Sequence, residues 1–418
     1  MRGWSLSPTA RRWVARSFAA FSRPIRVPAS CVTPTRGIRT RSNSRNGTGS
    51  TFRAPSIAAV SAARSVLTPF VVSRLLTAIV ALAAVALFPS PTTCPDVCHP
   101  SGNLLLDAAT RWDAKAYVDI AHDGYGVVPA NNAYFPLYPL LMRVGATVLG
   151  GSDDAYLVAG VLISNLALLV ALAYLARLVP IDHEASAGTR AALYLLVFPT
   201  SVFLSVVYPE SLLIALSIGA VYHAREGEWL PSAALGVLAA LTRPFIGAAV
   251  ALPIAIEVFQ RSGPRAALAS AAPAAVALIA WMAVLWGITG DPKAVLTAEE
   301  NWGVGPSLPF KAFTDLFDPN VYGFPYIVLG STLFIGVLVL ISWRLLRPSL
   351  AAYATVVFLI SVATGSLTSS PRYYLSIFPA FIVLGIVARG WTGLAYIAVG
   401  AAISAVFTAM YALWYWVA

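Results

Sequence analysis

A chain of 418 residues that is 58% hydrophobic and only 11% charged, with a mean hydropathy of +0.75, is not an ordinary soluble protein. In soluble chains about a quarter of the residues are charged. The net charge of +10 does not point to nucleic acid either, because twelve arginines between Arg2 and Arg64 precede the first hydrophobic span and, set against that total, leave −2 for the rest. Composition therefore predicts an all-α polytopic membrane protein with no nucleic-acid partner.

Residues 1–66, rich in Arg, Ser, Pro and Gly and free of acids, read as a disordered tail. A dispensable cytoplasmic extension is favoured over an organelle transit peptide, since Pro and Gly interrupt any long amphipathic helix. The bias to Arg, Ala, Val and Gly suits a GC-rich bacterial genome, with a translation start near Val60 or Val66 as one expectation. Of three cysteines, Cys31 lies in the tail, while Cys94 and Cys98 flank Pro95-Asp96-Val97 beside His99. That pair reads as a local disulfide rather than a metal site, which needs more ligands.

Hydropathy places about eleven transmembrane helices, near 68–89, 155–178, 190–207, 209–224, 230–242, 244–260, 266–288, 323–343, 349–365, 373–388 and 392–416. The fifth and sixth are short and meet at Thr242-Arg243-Pro244, so one broken or re-entrant element is the alternative there. With a cytoplasmic N-terminus, Arg177, Arg190, Arg225, Arg261, Arg265, Arg344, Arg347 and Arg389 share the cytoplasmic side. The other side receives residues 90–154, the Tyr208-Pro209-Glu210-Ser211 turn, Thr242-Arg243-Pro244, residues 289–322 and Pro371-Arg372-Tyr373.

Within the large loop 90–154, residues 103–123 read as one helix with Asp113, Tyr117, Ile120 and Gly124 on a face, lying in the membrane interface. Residues 135–150 read as a second interfacial helix. Asp113 is a candidate general base or metal ligand amid Trp112, Tyr117 and Tyr125, an aromatic rim on which a sugar or lipid head group would stack; a plain surface carboxylate paired with Arg111 or Lys115 is its bland alternative. Glu210 and Arg243 are ionisable groups at membrane depth and hence functional candidates, with a structural Glu210 to Arg243 pair as the alternative. Arg372 suits a phosphate through its bidentate guanidinium, with snorkelling at a helix end as the alternative. Glu299-Glu300 with Asn301-Trp302 is a candidate contributor to substrate binding, with a solvated loop as the favoured reading. No nucleotide-binding loop, Ser/His/Asp arrangement or HExxH helix is present in the sequence.

Arg111-Trp112-Asp113 with Tyr117, Ile120-Ala121 and Gly124-Tyr125, then Phe135-Pro136-Leu137-Tyr138-Pro139, Phe198-Pro199, Tyr208-Pro209-Glu210-Ser211, Thr242-Arg243-Pro244 and Pro371-Arg372-Tyr373 together resemble the PIG-V family. This is the GPI mannosyltransferase 2-like branch of the GT-C glycosyltransferases, and the resemblance covers roughly residues 68–416, as in an actinobacterial member. It implies a GT-C-like catalytic domain over residues 67–418 with interfacial helices in the first outer loop. It further implies a polyprenyl-phosphate-mannose donor and inverting transfer to a lipid or glycan hydroxyl outside the cytoplasm, in the plasma membrane of a bacterium. Asp113 would be the catalytic carboxylate. Arg111, Trp112, Tyr117, Tyr125, Tyr138, Glu210, Arg243, Arg372 and Tyr373 would bind substrates, with a divalent metal left open. The competing reading is a transporter or flippase; no internal repeat supports it.

Overall fold

The computed structural model describes residues 57–88, 100–300, 305, 312–313, 316, 324–363 and 366–417. The tail as far as residue 56, the Cys94 and Cys98 pair and Asn301-Trp302 lie outside the described residues. Among those described, regular structure is helical throughout. In hydrocarbon every backbone N–H and C=O must be bonded within the protein, and a helix does this inside one segment.

The first helix, α1 (Ile57–Leu87), starts nine residues before the expected end of the tail. Helices α2 (Leu104–Ala108), α3 (Ala114–Asp123) and α4 (Leu137–Val148) follow. At twelve residues, about 18 Å, α4 is too short to cross some 30 Å of hydrocarbon, as its interfacial reading requires. Next comes α5 (Asp153–Leu178), begun by the Ser152 hydroxyl accepting from the Ala155 N–H, with Asp153 and Asp154 in its first turn and Arg177 in its last. Each charge opposes the helix dipole. The chain continues through α6 (Ala185–Leu196), α7 (Glu210–Glu226), α8 (Trp229–Ala240), α9 (Ala251–Thr289), α10 (Ala294–Glu300), α11 (Pro325–Leu345) and α12 (Pro348–Val362). It ends with α13 (Ser370–Tyr373), α14 (Phe378–Val387) and α15 (Gly390–Ala412).

Among the described residues five helices are long and apolar enough to cross a membrane, and a sixth span arises if the pair Ser370–Ser376 and Phe378–Val387, bent by 75°, counts as one. This is an integral membrane protein. Each of the eleven hydrophobic stretches coincides with a helix or a broken helix, but several are too short for a straight crossing.

Between α8 and α9 the backbone runs through successive turns, the Thr242 N–H donating to the Ala239 carbonyl at 3.0 Å and the Gly247 N–H to the Arg243 carbonyl at 3.3 Å. Gly247 packs on the carbonyl of Ala239, where any Cβ would clash, so the chain doubles back after Thr242-Arg243-Pro244. Gly263, at φ 80°, then breaks α9 just before Pro264. A Cβ on Gly236 of α8 would lie 2.9 Å from Ile254 and 3.7 Å from Ala274, residues that a straight helix would separate by about 30 Å. The two arms of α9 thus fold back on each other, in agreement with the separate stretches 244–260 and 266–288.

Side-chain pairs define two ends of the bundle. At one, Arg225 bonds Asp182 at 2.6 and 2.9 Å and approaches Glu257, Arg347 bonds Glu257 at 3.0 Å, and Glu184 pairs with Arg190 and Arg389. These are arginines assigned to one side by the sequence. The opposite end gathers Asp113, Glu210, Arg243 and Arg372. Near the arginine-rich end α14 and α6 meet backbone to backbone. A Cβ on Gly385 would sit 2.5 Å from the Ala187 carbonyl oxygen and 2.9 Å from the Ala191 nitrogen. Small residues at such crossings let helices approach in lipid. Gly385→Ala should separate them, break the 2.7 Å bond from Arg190 Nε to the Gly385 carbonyl, and cost about 1–3 kcal/mol by overpacking. Unfolding in micelles measures it.

Candidate active site

The site begins where the first outer segment stops being helical. Asn103 caps α2 by accepting from the Leu105 and Leu106 N–H groups, but residues 109–113 leave the helix and α3 restarts at Ala114. The single helix expected over 103–123 is therefore broken at Arg111-Trp112-Asp113 itself. Trp112 adopts φ 55°, a left-handed conformation costing roughly 1–3 kcal/mol for a bulky residue. Its indole packs edge-on against Trp414 and Trp416, with centroids 5.7 and 5.2 Å away, which holds the kink.

The break sends neighbouring side chains in different directions. Arg111 is buried and spent on the protein: it bonds the Asp107 carboxylate at 2.7 Å, the Ala412 carbonyl at 3.1 Å and the Asp107 carbonyl, and lies over the Trp414 ring. Lys115 pairs instead with Asp119 on the exposed face of α3. Neither of the basic residues flanking Asp113 in sequence is its partner. The Asp113 carboxylate meets Arg372 Nη1 at 2.6 Å, across 259 residues of chain. Tyr208 fixes the turn, its hydroxyl accepting from the Asp113 N–H and donating to the Arg111 carbonyl, both at 3.1 Å.

Arg372 also reaches the second carboxylate. Its Nε lies 3.5 Å from Glu210 Oε1, and Arg243 Nη1 lies 3.1 Å from the same oxygen. Glu210 opens α7, where the helix dipole favours an anion, and its side chain is 0% exposed; Arg372 is 3%, Arg243 10% and Asp113 15% exposed. Tyr373 supplies a ring 4.4 Å from the Arg243 guanidinium, a cation–π contact. The expected Glu210 to Arg243 pair is real, and it is one half of a four-residue network. Among the described residues neither Glu210 oxygen has an aligned hydrogen-bond donor, and Arg243 Nη1 and Arg372 Nε have no aligned acceptor. Buried polar atoms at ion-pair distance but short of hydrogen bonds are costly to leave so, and available to a bound ligand.

The other residues singled out from sequence form the walls. Tyr117 packs edge-on against Tyr134, Tyr138 and Tyr208, and its phenol is held well above the usual range by burial. Tyr138 bonds Ser164 at 2.8 Å, and Ser164 in turn donates to the Tyr208 carbonyl, so this buried pair positions the approach to Glu210. Tyr125 donates to the Tyr134 carbonyl and stacks edge-on against Trp281, one layer out. Tyr134, Tyr208, Phe203, Trp414 and Trp416 were not selected from the sequence as site residues. Tyr208 stands in the Tyr208-Pro209-Glu210-Ser211 motif; the signal of the other four, aromatic type alone, is shared with any membrane belt. Among the described residues Trp112, Phe245 and Trp414 are the non-glycine positions with positive φ, and they flank Asp113, Arg243 and the Arg111 ring contact. Strain of this kind clusters where function over-determines the backbone. No group of three His, Cys, Asp or Glu side chains able to hold a metal occurs among the described residues.

Glu299 corrects another expectation. It lies half-buried in α10 rather than in a solvated loop, and burial pushes its carboxyl up to about 7 against the opposing pull of Arg243. With an ordinary value of 4.5, the folded protein holds this proton between those two pH values while the unfolded chain has released it. Stability contributed by that proton is present at low pH and falls as pH rises through the window. The unfolding midpoint of Glu299→Gln should therefore gain on that of wild type between pH 4.5 and 7 and run parallel to it above; a constant gap across the window would refute the burial of this carboxylate.

Residues 63–252 match the family model of the mannosyltransferase PIG-V. The GPI alpha-1,6-mannosyltransferase 2 of Mus musculus is 31% identical over 163 residues, covering 36% of this chain and 33% of the mouse protein. Its counterpart from Rattus norvegicus is 30% identical over 162 residues, with the same coverage. The match thus spans about a third of the length of these curated relatives. The crystal structure of ArnT from Cupriavidus metallidurans bound to undecaprenyl phosphate aligns with a TM-score of 0.49 at 16% identity, over 82% of this chain and 75% of that one. Asp113, Glu210 and Arg243 all fall inside the matched stretch, and over residues 63–252 the chain is PIG-V-like.

Proposed function

We propose that this protein is an integral-membrane glycosyltransferase of GT-C type that moves mannose, or another hexose, from a polyprenyl-phosphate-linked donor to the hydroxyl of a glycolipid or glycan. The reaction takes place at the end of the bundle bearing Asp113, which in this reading faces away from the cytoplasm in the plasma membrane of a bacterium. The single observation that carries the proposal is the convergence of Asp113, Arg372, Glu210 and Arg243 at one end of an apolar bundle. Ionisable residues at membrane depth are expensive and mark function by default. A PIG-V-like match that includes three of the four favours an enzyme over a transporter.

The geometry supports a division of labour. Transfer forms a bond between the acceptor oxygen and the sugar's anomeric carbon, and breaks the bond from that carbon to the phosphate oxygen, which leaves with the electron pair. The acceptor proton needs a base, and Asp113 is the most accessible of the network's carboxylates. The departing phosphate needs positive charge, which Arg372 and Arg243 supply. In the resting protein the Asp113 carboxylate is engaged by Arg372 through its Oδ2. Donor phosphate drawing Arg372 toward itself would release Asp113 for the acceptor, coupling binding to activation. Glu210 keeps both guanidinium groups oriented through the exchange. Trp112, Tyr117 and Tyr373 line the substrate space, while Arg111, Tyr125 and Tyr138 shape it with their polar ends already engaged.

The test is reconstitution of the full chain in liposomes with radiolabelled polyprenyl-phosphate-mannose and total envelope lipids. Transfer of label to lipid or glycan is expected. Failure of folded wild-type protein to transfer any lipid-linked hexose would overturn the enzyme reading.

A further inference from the structure

Three tryptophans form a wall beside the charge network. Trp112 packs edge-on against both Trp414 and Trp416, and Trp416 lies 5.8 Å from the guanidinium carbon of Arg372. The wall therefore touches the cation assigned to the leaving phosphate, and through Trp112 it adjoins Asp113 in the chain. Two features distinguish it from an ordinary interfacial belt. The indole Nε1 groups of Trp414 and Trp416 are both buried and, among the described residues, have no hydrogen-bond acceptor. Buried indole N–H groups usually find a partner. Both Trp112 and Trp414 are also held at positive φ, so the backbone is strained to bring the rings together.

We propose that Trp112, Trp414 and Trp416 form the subsite for the donor's sugar, with indole faces against the C–H face of the hexose and the Nε1 groups of Trp414 and Trp416 donating to its hydroxyls. This rests on the transferase reading above and names the part of the substrate each group holds. A polyprenyl tail offers no acceptor for the two N–H groups. Phosphate has a better match in Arg372 and Arg243, whereas a hexose one bond from that phosphate presents both an apolar face and a rim of acceptors. Insertion of the sugar parts the ring cluster and supplies the acceptors that the resting arrangement lacks.

The test compares two lipids on the reconstituted full chain: polyprenyl-phosphate-mannose as substrate, and sugar-free polyprenyl phosphate as a competitive inhibitor. The double variant Trp414→Phe/Trp416→Phe keeps the rings and removes both N–H groups. It is expected to raise KM for the mannosyl donor about tenfold, as the loss of hydrogen bonds to a substrate would, while leaving the inhibition constant of polyprenyl phosphate unchanged. Trp416→Leu, which removes a face, should produce the same split. An unchanged KM, or equal weakening of both lipids, overturns the sugar subsite while leaving the transferase reading in place. Absence of transfer by wild type defeats that underlying reading instead. A variant with a lowered unfolding midpoint is judged by the ratio of the two constants, which loss of folded protein does not move.

Discussion

Replacing Arg372 with alanine should cost about 3–5 kcal/mol of folding stability, as removal of one partner from a buried ion pair does, and abolish transfer. The guanidinium is 3% exposed and meets two carboxylates from two different elements, Asp113 at 2.6 Å and Glu210 at 3.5 Å. Without it Arg243 remains within reach of Glu210, but Asp113 loses its cation and Glu210 keeps one of two. The variant also gives up ring contacts to Phe203, Tyr208, Tyr373 and Trp416 at 5.2–5.8 Å. Arg372→Lys should recover less than half of the stability, since an ammonium is a point donor and cannot serve Asp113 through Nη1 and Glu210 through Nε together. A second change separates stability from chemistry. Adding Asp113→Asn to Arg372→Ala removes the carboxylate left without a cation and should restore part of the unfolding midpoint without restoring transfer. An unfolding midpoint for Arg372→Ala equal to that of wild type would mean that the network is not formed.

What the sequence disclosed follows from the range over which each signal acts. Helices and their ends are local and apolar, so each hydrophobic stretch found its helix or broken helix, and the arginines sorted to one end, where Arg190, Arg225, Arg347 and Arg389 are indeed paired. The kink at Trp112 was illegible because its cause is remote: Trp414 and Trp416 hold it from the far end of the chain. For the same reason the sequence offered Arg111 and Lys115 as partners of Asp113, whereas proximity in the chain decided nothing. The loop conformation turned Arg111 inward to Asp107 and left Lys115 to Asp119 one helical turn away, freeing Asp113 to meet Arg372. The helical face inferred from Asp113, Tyr117 and Ile120 survives only from the start of α3 onward. Glu299 was misread because a short polar helix and a solvated loop have the same composition. The helix that carries it packs against the segment Pro129–Ala133, which no local pattern encodes.

Asp113→Asn separates the chemical role of this residue from its structural one. Asparagine has the same shape, and its amide oxygen still accepts from Arg372, so the unfolding midpoint should move little. It cannot take the acceptor's proton, and kcat should fall roughly 10²–10⁴-fold, the range typical of a removed general base. The Michaelis constant for the lipid-linked donor should stay level or fall, because Arg372 is no longer held by a full negative charge and turns to the donor phosphate more readily. That combination is specific. A purely structural Asp113 would lower stability along with activity, and a residue that only bound substrate would raise KM with kcat unchanged. Steady-state transfer assays across donor concentrations, with unfolding measured on the same preparation, distinguish the three. Wild-type kcat in Asp113→Asn would shift the base assignment to another carboxylate near Arg243, such as Glu210 or Glu299.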